Sequence, residues 1–281
     1  MRLEAGLLFA SDSRTNAGVD HIATFRKMTV FEQAEERLIV LLSSGNLATT
    51  QSVVSLLQQR LHHDGMHLLN ARSMYDAAEL VGQTIREVLA RDAHDIQQAQ
   101  GIDFGGNFLV GGQIRGEAPR LFHVYPQGNF IEACEDTPYF QIGESKYGKP
   151  IIDRVVDFRT TLAEAAKCTL ISFDSTVRSN LSVGLPIDML LYRGDSFAPA
   201  RPHRIDREDR YFMRLRRGWA RACAGCSRGC PTPSGSRRPT SPSAERRRRP
   251  KAGRRDAAPH HGDAAKGGCL ALMLRRNAAS A

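Results

Sequence analysis

What this sequence lacks is concentrated at one end. Beyond Trp219 there is no Ile, Val, Phe, Tyr or Trp. A segment without bulky apolar side chains cannot bury enough surface to offset the entropy of ordering its backbone. The composition therefore predicts a folded body over residues 1–219 and a basic, low-complexity tail over 220–281. That tail is expected to be disordered, or the product of GC-rich DNA read in a shifted frame, because Arg, Ala, Gly, Pro and Ser dominate it.

A basic body is also lacking. The net charge of +9 comes from 39 Lys and Arg against 30 Asp and Glu, and 14 of the basic but only 3 of the acidic residues lie beyond Trp219. The body keeps 25 against 27 and is near neutral. A nucleic-acid-binding fold needs a surplus of cations on the fold itself, so the body is not expected to bind nucleic acid. Nor is there an apolar run of about 18 residues, so no membrane-spanning helix is expected. No basic segment followed by an apolar stretch opens the chain, which argues against a secretory signal. Of six cysteines, only Cys134 and Cys168 lie in the body. This is no disulfide framework, and it suits a reducing compartment. Both read as small buried hydrophobes.

What is present is ordered periodicity. Residues 3–11 read as a strand with Gly6 at a turn, followed by strands over 24–29 and 37–43. Leu38-Ile39-Val40-Leu41-Leu42 is continuously apolar, which predicts burial on both faces. A helix capped by Thr49 or Thr50 runs to about His62, and a second spans 73–91. Residues 104–114 form the next strand. Residues 120–125 and 129–134 flank Pro126-Gln127-Gly128 as a hairpin. Helical patterns follow over 150–157 and 161–177, the latter capped by Thr160 or Thr161. Residues 184–192 are the final strand, apolar at Leu185, Ile187, Met189 and Leu191. Runs of strands alternating with paired helices suit helices layered on antiparallel sheets, and a helix–sheet–sheet–helix sandwich is one solution.

At Asp12 the pattern meets a known family. Gly6-Leu7-Leu8-Phe9-Ala10-Ser11-Asp12-Ser13-Arg14, followed by Lys27 and Gly45, resembles the opening of proteasome β-type subunits. Ser11 to Asp20, Phe140 to Pro150 and Ser179 to Gly184 resemble the bacterial branch called Anbu, the ancestral β-subunit group. The resemblance covers residues 3–219. It implies an α+β, four-layer αββα sandwich of the N-terminal-nucleophile hydrolase type, a threonine-type peptidase that hydrolyses peptide or amide bonds without metal or organic cofactor. It further implies a homo-oligomeric ring or helical assembly in the cytoplasm.

Such enzymes attack with the side chain of their first residue, and the free α-amino group takes the proton. An α-amino group titrates near 7.7–8.0, close enough to neutrality to act as a base. A nearby lysine lowers the nucleophile's pKa, and a carboxylate orients the lysine. By resemblance Lys27 is that lysine and Asp12 its partner. Gly45 offers a backbone N–H to the oxyanion, and Ser145 supports the terminal amine. Ser179 and Ser182 match an Asp-x-x-Ser pair whose carboxylate is here a hydroxyl, and Thr15 and Asn16 line the substrate cleft. The resemblance also implies a short strand, opening on Thr, Ser or Cys, about five residues ahead of Met1. A polypeptide that opens at Met1 is expected to be inactive, which makes a catalytically silent homologue the alternative, with nucleic-acid binding through the basic tail a weaker one.

Each residue also has an ordinary reading. Asp12 can stabilise a turn, Lys27 can be solvated, and Gly45 can be a turn residue. In the tail, Cys223, Cys226, Cys230 and the pair His260-His261 mimic a zinc site. Arg246 to Arg249 mimics a nucleic-acid patch. The composition there favours neither, and no metal site is expected.

Overall fold

The computed structural model describes residues 1–16, 22–92 and 103–230. Those residues fall into two compact units, Met1–Arg217 and a second that starts at Gly218. The first unit contains two antiparallel sheets and a small ribbon. One sheet has the order β1 (Arg2–Leu3), β2 (Gly6–Asp12), β10 (Ile187–Arg193), β11 (His203–Ile205). The other has the order β5 (Met28–Gln33), β6 (Arg37–Gly45), β7 (Gly106–Ile114), β8 (Arg120–Val124), β9 (Phe130–Glu132). The ribbon pairs β3 (Arg14–Asn16) with β4 (Ile22–Thr24).

The apolar run in β6 is buried on both faces, as its composition predicts. Alternate residues of a strand point to opposite faces. Ile39 and Leu41 join a core built with α1 (Leu47–Arg60) and α2 (Met74–Asp92), together with Phe108, Val110 and Phe122. Leu38, Val40 and Leu42 point the other way, into a core shared with Leu7 and Phe9 of β2 and Leu190 of β10. A third core packs Leu3 and Leu8 against Ile152 of α3 (Lys149–Ile152) and Cys168 of α4 (Leu162–Ser179). The sheets meet closely at Gly111, where a Cβ would come within 2.7 Å of the Phe9 ring. Glycine there lets Phe9 bury fully, and a fully buried side chain of that size contributes about 1.5–3 kcal/mol.

Several sequence expectations shift on contact with the structure. The first helix is capped by Asn46, whose side chain accepts from the Thr49 N–H, while Thr50 donates back to the Asn46 carbonyl. Asn is as good an N-cap as Thr, and it stands where β6 ends. Thr161 caps α4 as expected. Only Lys149–Ile152 of the helix expected over 150–157 is helical. Leu191 is exposed, because Leu190 and Tyr192 take the inward positions of β10. Cys134 is exposed rather than buried. β11 and α5 (Arg210–Gly229) follow β10, so residues 184–192 are not the last element and disorder does not set in at Ala220. Arg and Ala rank among the best helix formers, and they carry the helix past the last aromatic residue. No helix among the described residues is long and apolar enough to cross a membrane.

Candidate active site

Asp12 is the last residue of β2 and is 8% exposed. Its Oδ1 accepts from the Lys27 Nζ at 2.6 Å, and its Oδ2 accepts from the backbone N–H groups of Arg14 at 3.2 Å and Gly184 at 3.1 Å. The buried carboxylate is thus held by three donors and one balancing charge, which is what a buried charge requires. Lys27 sits between β4 and β5, where its carbonyl accepts from the Ser43 N–H. Arg14 lies across Gly184, where a Cβ would come within 2.3 Å of its Nε, and donates to the Leu181 carbonyl at 2.9 Å. The chain after α4 is therefore tied to the end of β2 from both sides.

These groups face a cavity of about 610 Å³. Asp12, Lys27, Gly45, Thr15 and Ser182 all line it. Gly45 ends β6 at φ +104, and a Cβ there would come within 2.4 Å of the Gly105 carbonyl oxygen, so only glycine fits. One wall is the edge of β2. Met1 pairs with Leu8 through both backbone bonds, Leu8 N–H to the Met1 carbonyl and the Met1 amine to the Leu8 carbonyl. Beyond Leu8, no described strand pairs with that edge of β2. Three side-chain atoms of residues lining the cavity, Ser11 Oγ, Thr15 Oγ1 and Gln141 Oε1, are buried and have no hydrogen-bond partner among the described residues.

Two expected residues do not line the cavity. Ser179 is the last residue of α4 and is exposed, and from the turn that follows it is Ser182 and Val183 that line the cavity. Ser145 stands before α3, where its carbonyl accepts from the Lys149 N–H. Asn16 ends β3, and its side chain lies outside the described residues. The sequence reading missed Glu144, Gln141, Asn180 and Gly184. All four lie inside the stretches that carry the resemblance, yet nothing in their spacing marks them. Cys223, Cys226 and Cys230 are exposed on or at the end of α5. Cys269, His260-His261 and Arg246–Arg249 lie outside the described residues. No group of three or more potential metal ligands occurs among the described residues.

Burial sets two titrations. It lowers the Met1 amine to about 5, because charging it means removing an ammonium from water. It pushes the Cys168 thiol up to about 12, so this cysteine is no nucleophile.

No family model matches the sequence, and no curated protein matches it. Solved structures do. Anbu (ancestral beta-subunit) from Yersinia bercovieri is 58% identical, with 82% of this chain and 96% of that chain covered at a TM-score of 0.78. The helical assembly of the Anbu complex from Pseudomonas aeruginosa gives 52% identity, 84% and 97% coverage and a TM-score of 0.81. Anbu from Hyphomicrobium sp. strain MC1 gives 51%, 82% and 96%, and 0.75. With identity this high over nearly the whole of each relative, the chain belongs to the Anbu family of ancestral proteasome β-subunits.

Proposed function

We propose that the chain is a proteasome-like peptidase subunit that hydrolyses peptide or amide bonds with an N-terminal nucleophile, on a four-layer αββα sandwich. The observation that carries this reading is the Lys27–Asp12 pair at 2.6 Å, placed on the cavity at the end of β2. The free edge of β2 supports it. β1 runs antiparallel to β2 with Met1 opposite Leu8. A strand continuing that pairing backwards from Met1 passes Phe9, Ala10 and Ser11 and comes opposite Asp12. At about 3.4 Å per residue, roughly five residues bring its first side chain to the Lys27–Asp12 pair.

In this reading the first residue's hydroxyl or thiol attacks the carbonyl carbon. Its own α-amine takes the proton and returns it to the leaving amine. The Lys27 ammonium, fixed by Asp12, stabilises the attacking oxyanion or thiolate. The Gly45 N–H receives the charge that develops on the carbonyl oxygen. Thr15 and Asn16 hold the substrate backbone, and Ser182 accepts near the amine. The chemistry needs no metal or organic cofactor. The helical assembly of the Pseudomonas aeruginosa relative supports a homo-oligomer, and a cytoplasmic site of action fits the family.

One observation favours a second reading for a polypeptide that opens at Met1. A thioether is no nucleophile, and the Met1 amine is buried and donates to the Leu8 carbonyl. Such a polypeptide is a catalytically silent structural subunit. The test prepares the chain with about five residues added ahead of Met1 and opening on Thr. Turnover of fluorogenic peptides by that chain, and none by the chain from Met1, is the expected result. No turnover by either leaves the silent reading.

A further inference from the structure

A second carboxylate on the cavity, that of Glu144, belongs to a residue no motif marks. Glu144 Oε2 accepts from the Asn180 Nδ2 at 2.5 Å. Asn180 Oδ1 accepts from Ser182 twice, from the backbone N–H at 2.8 Å and from the hydroxyl at 2.7 Å. The orientation of this amide is forced from both sides. A carboxylate only accepts, so the NH₂ must face Glu144; a backbone N–H only donates, so the oxygen must face Ser182. The hydroxyl hydrogen of Ser182 is thereby committed to Asn180, and what the hydroxyl offers to the cavity is lone pairs.

The backbone at position 144 orients a second amide independently of the Glu144 side chain. Its carbonyl accepts from the Gln141 Nε2 at 2.8 Å. The carbonyl only accepts, so Gln141 Oε1 is turned away from it, and that atom is buried without a partner among the described residues. Glu144 is itself pinned, since its Oε1 accepts from the Lys146 N–H at 2.8 Å.

We propose that Glu144 is a positioning residue, acting through Asn180, that makes Ser182 an acceptor only toward the cavity, so that this wall receives the N–H groups of the reacting α-amine. The proposal rests on the N-terminal-nucleophile reading and deepens it. Neither Glu144 nor Asn180 touches the reacting atoms. An acceptor-only wall favours the protonated amine, so it raises the pKa of the base that must be neutral to act. Freed from Asn180, the Ser182 hydroxyl can turn and donate, which favours the neutral amine and lowers that pKa.

Two measurements test it. In the full chain labelled at asparagine, the Asn180 side-chain amide hydrogens are expected to exchange slowly in the wild type and in E144Q, whose carbonyl still accepts. In E144L they are expected to exchange as a free amide does. Unchanged exchange in E144L overturns the proposal. In the chain that opens on Thr, E144L and S182A are each expected to lower the plateau of kcat/KM above the acid limb about tenfold, because the amine loses its acceptor. The double variant is expected to be no lower than S182A alone, because Glu144 acts through Ser182. The acid limb of the pH profile is expected to move down by about one unit in E144L and to return in E144Q. A further tenfold or so in the double variant, or a lowered plateau with an unmoved limb, makes Glu144 a merely structural residue and overturns the proposal. If the Thr-opened chain shows no turnover in any form, the peptidase reading fails and the exchange measurement alone decides the relay.

Discussion

β6 and β2 are both apolar strands at the heart of the first unit, and they differ in their partners. β6 has β7 along its whole length and β5 over residues 37–42, its entire apolar run. β2 has β10 along its whole length, but β1 only as far as Leu8. Along β6, residues 38–42 are buried and alternate between two apolar cores. Along β2, the part with one neighbour ends in Ser11 and Asp12, and a cavity opens beside it. A completed sheet leaves backbone groups no work but holding the fold. An incomplete one leaves an edge on which polar side chains and a reacting chain can meet.

The largest expected effect breaks this contrast on the β2 side. In the chain that opens on Thr, Lys27→Ala removes the cation and leaves Asp12 buried without its partner. Turnover is expected to fall by on the order of a thousandfold or more, read as kcat/KM on a fluorogenic peptide. On the β6 side, Leu41→Ala is expected to cost about 3–4 kcal/mol in denaturant unfolding while leaving the chemistry of the surviving folded protein intact. A loss of turnover without a loss of stability in Leu41→Ala would mean that the two strands do not divide their roles.

The pH dependence of stability sharpens the same contrast. In a polypeptide that opens at Met1, the buried amine has its pKa lowered from 8.0 to about 5. Between those values the unfolded state binds the proton and the folded state does not, so stability rises with pH from about 5 to about 8 and falls as pH drops through that window. The expected span is on the order of 4 kcal/mol, read from unfolding curves at several pH values. Adding residues ahead of Met1 removes this dependence. A flat profile in the chain from Met1 contradicts the burial of its amine.

How much of this was legible beforehand differs between the two strands. β6 was readable because a run of five apolar residues with helices after it has few ways to be satisfied except burial on both faces. Asp12, Lys27 and Gly45 were picked out together because they resemble the opening of a known family, and all three line the cavity. The Glu144–Asn180–Ser182 relay was not, because its members are brought together only when the loop before α3 meets the end of α4. Ser179 was misplaced for a related reason: spacing marks a position, but the last turn of a helix decides which side chain faces the cavity. Disorder from Ala220 was inferred from missing aromatic and β-branched residues. That absence bears on core formation, not on helix propensity, and α5 runs on to Gly229.

Smaller effects refine the comparison. Asn46→Ala at the junction of β6 and α1 is expected to cost about 1 kcal/mol of stability through loss of the cap. Ser11→Ala on β2 is expected to raise stability by about the same amount, since the Ser11 hydroxyl is buried without a partner among the described residues. A destabilised Ser11→Ala would mean that the hydroxyl is satisfied. Last, Cys134 is expected to react with a maleimide at pH 8 while Cys168, its thiol pushed up to about 12 by burial, does not. Mass spectrometry of the labelled peptides reads both.

The most direct test of the central claim is peptide hydrolysis by the chain carrying about five residues ahead of Met1 and opening on Thr, compared with its Asp12→Asn variant. The account expects turnover in the first and a loss of about a hundredfold or more in the second, with the fold intact, because the carboxylate that orients Lys27 is gone. Equal turnover in both would contradict it, since the pair at the end of β2 would then play no part in the chemistry.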